Sequence, residues 1–99
     1  MITEIVTFPI PAGMTRDQVV ALYEESVPTW KSNPDLLRKN YLYDEEGGKG
    51  GGIYTWKTLE AAREGHGEDF RARIRDTFGG DAEFTYFETP IVVDNEHGA

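Results

Sequence analysis

Leu36-Leu37-Arg38-Lys39-Asn40-Tyr41-Leu42-Tyr43 and Gly52-Ile53-Tyr54-Thr55-Trp56-Lys57 are the stretches that decide the fold of this chain. Both are rich in aromatic and β-branched residues. The segment between them, Asp44 to Gly51, holds Gly47, Gly48, Gly50 and Gly51 beside Glu45 and Glu46. Strand-favouring runs on either side of a wet, glycine-rich connection predict a β-hairpin with a mobile tip.

Upstream of the hairpin, Ile2 to Phe8 sets apolar and β-branched residues at both parities, the pattern of a strand buried on two sides, and Pro9, Pro11 and Gly13 end it. Thr15-Arg16-Asp17-Gln18 is a capping box. It opens a helix from about Arg16 to Ser32 with the stripe Val19, Leu22, Tyr23, Ser26, Val27 and Trp30, and Pro28 is expected to bend it or end it early. Downstream, Thr58 caps a second helix whose stripe is Leu59, Ala62, His66, Phe70, Ile74 and Phe78, with a kink or break expected at Gly65 and Gly67. Gly79-Gly80 ends that helix, Ala82 to Glu88 reads as a fourth strand, and Pro90 introduces Ile91-Val92-Val93.

The order β-α-β-β-α-β with right-handed crossovers predicts a ferredoxin-like α+β domain: a four-stranded antiparallel sheet with both helices on one face. The other face is left bare. Ile2, Ile5, Val6, Phe8, Phe84, Tyr86 and Phe87 put apolar residues on both faces of the first and fourth strands, too many for a solvated sheet, so a second copy is expected to cover it. The expected assembly is a homodimer forming a dimeric α+β barrel. Residues 1–94 form the single domain, 90–94 are expected to add to a partner's sheet edge, and 95–99, with His97, are expected to be a flexible tail.

Composition narrows the partners. The chain has 99 residues, 38% hydrophobic and 12% aromatic, enough for one core and too few for two. Its 18 acidic against 10 basic residues would repel phosphate backbones and anionic lipid, so neither nucleic acid nor membrane is an expected partner. With no cysteine, disulfides, thiolate catalysis and the usual zinc sites are excluded, and two distant histidines predict no transition-metal site. No basic segment followed by a long apolar one opens the sequence, and the expected location is cytoplasmic. The glycine run lacks the phosphate-loop pattern and joins two strands instead of a strand and a helix. Arg63, Arg71, Arg73 and Arg75 have Glu60, Glu64, Asp69 and Asp76 nearby, which describes a solvated, ion-paired helix face.

Gly51-Gly52-Ile53-Tyr54-Thr55-Trp56 with an Ala/Arg-rich helix after it, the preceding Pro34-Asp35-Leu36-Leu37 with Lys39-Asn40, and the closing Tyr86-Phe87-Glu88 resemble the YdhR-like putative mono-oxygenases of the dimeric α+β barrel superfamily, related to the antibiotic-biosynthesis mono-oxygenases. The resemblance covers nearly the whole chain. It implies a ligand cleft between helices and sheet, and oxygenation of electron-rich phenols with no metal or flavin cofactor. In that cleft Trp30, Tyr54, Phe70 and Tyr86 would bind a flat aromatic substrate, by stacking and by their polar tips.

His66, Trp56 and Asn40 are the candidate catalytic residues. His66 would take a phenolic proton, for which an ordinary pKa near 6.5 is suited, and the competing reading is a half-buried histidine bonded to a backbone carbonyl. Asn40 would orient substrate or dioxygen if the hairpin register turns it inward. Trp56 lies ten positions before His66, a spacing similar to the haem-degrading members of the superfamily, although core filling is the usual fate of a strand tryptophan. Those enzymes add an asparagine on the first strand, where this chain offers only Thr3 and Thr7 as neutral polar residues. The leading expectation is a cofactor-independent mono-oxygenase of a small aromatic or phenolic compound. The alternatives are a haem-degrading enzyme and a non-catalytic dimer that binds a small aromatic molecule.

Overall fold

Thr15 accepts a hydrogen bond from the Gln18 amide while the Gln18 side chain accepts one from the Thr15 amide, so the capping box closes at both ends. In the computed structural model, which describes residues 1–96, helix α1 runs from there over Arg16–Lys31. It passes through Pro28 without ending. Proline forfeits only its own amide donor, and the Ser32 amide still bonds to the Pro28 carbonyl at 3.1 Å.

The remaining elements are β1 (Ile2–Pro9), β2 (Leu36–Asp44), β3 (Lys49–Trp56), α2 (Leu59–Gly65), α3 (Glu68–Phe78) and β4 (Glu83–Glu88). The sheet has the order β2-β3-β1-β4 with every neighbouring pair antiparallel, as the ferredoxin-like expectation requires. The hairpin differs from its expected form. Strand β3 begins at Lys49, so Gly50 and Gly51 join Gly52 in the ladder and do not belong to a mobile tip. Gly51 has φ +155°, and a side chain there would strike the Val6 carbonyl. Its amide donates to the Tyr23 hydroxyl at 3.0 Å, and that hydroxyl donates to the Leu42 carbonyl at 2.8 Å, which ties α1 to the hairpin.

Alternation along the strands separates the two faces of the sheet. Glu4, Val6 and Phe8 of β1, with Tyr54 and Trp56 of β3, are buried under the helices with Ala62, Ile74 and Phe78. Thr3, Ile5 and Thr7, opposite Thr55, Ile53 and Gly51, look the other way and are half-buried apart from the buried glycine. β1 is thus sealed on one face within its own chain, not on both. Ile91, Val92 and Val93 form no strand and are exposed, and Phe87 on the open face is 53% exposed. Of the tail expected over 95–99, residues 97–99, with His97, lie outside the described residues.

The second helix is broken where the glycines predicted. α2 ends at Gly65, His66 caps it with φ −118° and ψ 45°, and α3 starts after Gly67. Gly65 is required by packing, because a Cβ there would lie 2.5 Å from Cη2 of Trp56. Lacking that atom, the helix end settles onto the indole and delivers His66 to the sheet.

Candidate active site

Glu4 is the centre of the site. It stands on β1 between Tyr54 of β3 and Tyr86 of β4, and it is completely buried. Its Oε1 accepts a hydrogen bond from the Trp56 indole Nε1–H at 2.8 Å and lies 2.7 Å from Nδ1 of His66. An ionised Glu4 fixes the imidazole tautomer, since the proton between them sits on Nδ1 and leaves Nε2 with a free lone pair. Nε2 of His66 and Oε2 of Glu4 are both buried with no hydrogen-bond partner. Burial lowers the pKa of His66, and the neighbouring Glu4 offsets this only in part, so the ring is neutral at pH 7. Burial raises the Tyr86 phenol, as do the charge and the close approach of the Glu4 carboxylate.

A buried carboxylate is a poor choice for stability alone, because desolvating a charge costs several kcal/mol that an apolar residue would not incur. Its two donors offset much of that penalty. What the arrangement provides is a neutral imidazole, oriented through Nδ1 and able to accept a proton at Nε2, with a carboxylate beside it to stabilise the imidazolium.

Around the imidazole is a shell of rings. Tyr54 lies 4.3 Å away between ring centroids, Phe70 4.4 Å, Trp30 5.1 Å and Phe84 5.4 Å. Trp30, Tyr54 and Phe70 also wall a cavity of about 300 Å³ between α1, α3 and the sheet, with Phe8, Lys39 and Tyr41 among its other lining residues. His66 does not reach that cavity directly; the same three rings that bind its near side pack on the imidazole from the other. A further groove, lined by Trp30, Gly65, Gly67 and Phe70, approaches from outside at the α2–α3 break.

The sequence candidates therefore separate. His66, Trp56, Trp30, Tyr54, Phe70 and Tyr86 all lie on the helix-covered face, and the first five form one connected set of ring contacts in which His66 and Trp30 each touch the other four. Asn40 is not among them: it pairs with Ile53 on the open face and is exposed. Its neighbour Lys39, opposite Tyr54, points into the cleft instead. Glu4 was missed, although a carboxylate in step with Val6 and Phe8 on an alternating strand was a visible signal. Lys39 had no such signal, because only the register distinguishes it from Asn40. Among the described residues, no group of three or more His, Asp or Glu side chains is placed to hold a metal ion, and no helix is long and apolar enough to cross a membrane.

The ferredoxin-like fold of this chain is shared by solved antibiotic-biosynthesis mono-oxygenase structures. One antibiotic biosynthesis monooxygenase matches 90% of this chain and 98% of its own, with a TM-score of 0.69 and 21% identity. A mutant of MhuD with two manganese protoporphyrin IX bound per active site matches 95% and 99%, at 0.72 and 18%. The monooxygenase ActVA-Orf6 of Streptomyces coelicolor, in complex with nanaomycin D, matches 93% and 89%, at 0.67 and 20%. No family model matches the chain, and no curated protein sequence matches it.

Proposed function

We propose that this chain is a cofactor-independent mono-oxygenase of the YdhR-like kind, acting as a homodimer on a small aromatic, phenolic compound, with His66 as the general base. The observation that carries the reading is the fully buried Glu4–His66 pair, whose Nε2 has no partner and lies behind rings that also wall an aromatic cavity. Buried polar atoms are almost always satisfied, and an orphaned imidazole nitrogen beside a cleft has a substrate hydroxyl as its natural partner.

In this reading one of the wall rings moves aside, a flat ligand stacks among Trp30, Tyr54 and Phe70, and Nε2 takes the phenolic proton. Glu4 holds the imidazolium so formed. The electron-rich anion then reduces dioxygen: at a ring CH2, one oxygen atom enters as the carbonyl and the other leaves with both hydrogens as water. Trp56 acts as a positioning residue, since its indole fixes the Glu4 carboxylate that orients His66.

Absorbance and oxygen uptake on titration with candidate anthrones and with haem test the reading. Turnover with oxygen consumption on an anthrone is the expected result, holding through the ordinary imidazole range and falling only at lower pH, because burial lowers the pKa at which His66 gains its proton. His66→Ala should abolish it, and turnover that survives this substitution sinks the proposed base. Degradation of haem in place of the anthrone would favour the haem-degrading alternative. In that case Glu4 stands on the first strand where the resemblance expects asparagine.

A further inference from the structure

Lys39 places an ammonium inside an aromatic box. Its Nζ lies 3.9 Å from the centroid of Tyr41, 4.5 Å from Tyr54 and 4.6 Å from Trp30, and the residue lines the cavity. Among the described residues no carboxylate forms an ion pair with it. Three ring faces attract an ammonium, but they do not neutralise it. A cation lodged in an apolar wall without an anion is a costly arrangement, and folding stability offers no reason to retain it.

We infer that Lys39 is the recognition point for an oxyanion on the ligand, so that the cleft selects aromatic compounds bearing a carboxylate or a phenolate over neutral ones of the same shape. This rests on the cleft being a ligand site, and it adds the charge class of what binds there. The other cation lining the cavity, Arg73 on α3, is exposed and therefore hydrated. Lys39 is half-buried and already partly stripped of water, so an anion meeting it gives up less of its attraction to solvent.

Other titratable groups share this space. Tyr41 and Tyr54 face Lys39 from the sheet, Tyr23 and Glu25 line the cavity from α1 and Arg73 from α3, and the charge of Lys39 is felt at His66 beyond Tyr54. Burial brings the Lys39 ammonium down to about 7, so an arriving anion raises it again and binding takes up protons near neutrality. The preference for an anion should therefore fade as pH rises.

Naphthoate and naphthalenemethanol share one ring system and differ in charge. Isothermal titration calorimetry of the intact protein with each, at about pH 6 and about pH 9, reads the effect without depending on turnover. In the wild type the carboxylate should bind at least about tenfold more tightly at the lower pH and lose that advantage at the higher. Lys39→Met should remove the preference at both pH values, and Lys39→Arg should keep it at both, since guanidinium remains charged. Equal affinity of the wild type for the two probes, or a preference that survives in Lys39→Met, overturns the inference about Lys39 while leaving the cleft intact. Failure of both probes to bind overturns it together with the cleft reading.

Discussion

The two faces of one sheet, built from alternate residues of the same strands, differ in almost every respect. Under the helices stand Glu4, Tyr54, Trp56 and Tyr86, with a buried carboxylate, an oriented imidazole and a cavity. On the open side stand Thr3, Ile5, Thr7, Ile53, Thr55 and Phe87, a β-branched and apolar surface with no titratable cluster on those strands. In the function proposed above, the first face serves chemistry and the second contact with another copy. A shift of a single residue in register would exchange them, so the sheet can hold both assignments only while its pairing is fixed.

The sharpest way to break the contrast is at its centre. Glu4→Ala would leave the Trp56 indole and the His66 Nδ1–H buried without an acceptor, and should lower the unfolding free energy by about 3 kcal/mol or more, read from denaturant midpoints. Gly65→Ala should cost about 1–3 kcal/mol by overpacking against the indole, and the His66 Nδ1 proton resonance should lose the downfield shift of a carboxylate hydrogen bond.

Lys39 gives a smaller, pH-dependent effect whose sign follows from its environment. Its pKa is about 7 in the folded chain against 10.5 unfolded, so the unfolded chain binds more protons between these values. The stability it contributes is complete above the unfolded value and is lost as pH falls through the folded one. The gain in unfolding free energy between about pH 7 and about pH 10 should therefore shrink in Lys39→Met. The smallest effect belongs to the open face. Ile53→Lys should change the stability of a lone chain by no more than about 0.5 kcal/mol, while analytical ultracentrifugation should show its self-association abolished. A large loss of stability without a change in association would mean that this face is packed within the chain and not between chains.

Much of the fold was legible because it depends on local chemistry. The capping box at Thr15, the glycines at 65 and 67 and the two hairpin runs each specify an element without reference to distant residues. The hairpin tip was misread because Gly50 and Gly51 look like flexibility in sequence, whereas Tyr23 and the Val6 carbonyl fill the space their side chains would take. The site was legible where a helix stripe or a strand tryptophan marked it, as for His66 and Trp56. It was illegible where pairing decided it. Asn40 and Lys39 are adjacent, and only the match of Lys39 to Tyr54 and Asn40 to Ile53 sends one inward and the other out.

Pro28 has one more consequence, and it concerns time instead of place. Upstream of it, α1 is tied to the sheet twice, through the Tyr23 hydroxyl and through Ser26 Oγ to the Tyr41 hydroxyl at 2.7 Å. Beyond it, Trp30 is held by ring packing and by the Lys39 ammonium over its face, past a turn in which the proline leaves the Glu24 carbonyl without its backbone donor. The helix is a beam hydrogen-bonded to the sheet on one side of a weakened joint, with the ring that screens His66 on the other. How often that end swings, on the microsecond-to-millisecond scale of such segments, would set the pace at which a guest meets the imidazole.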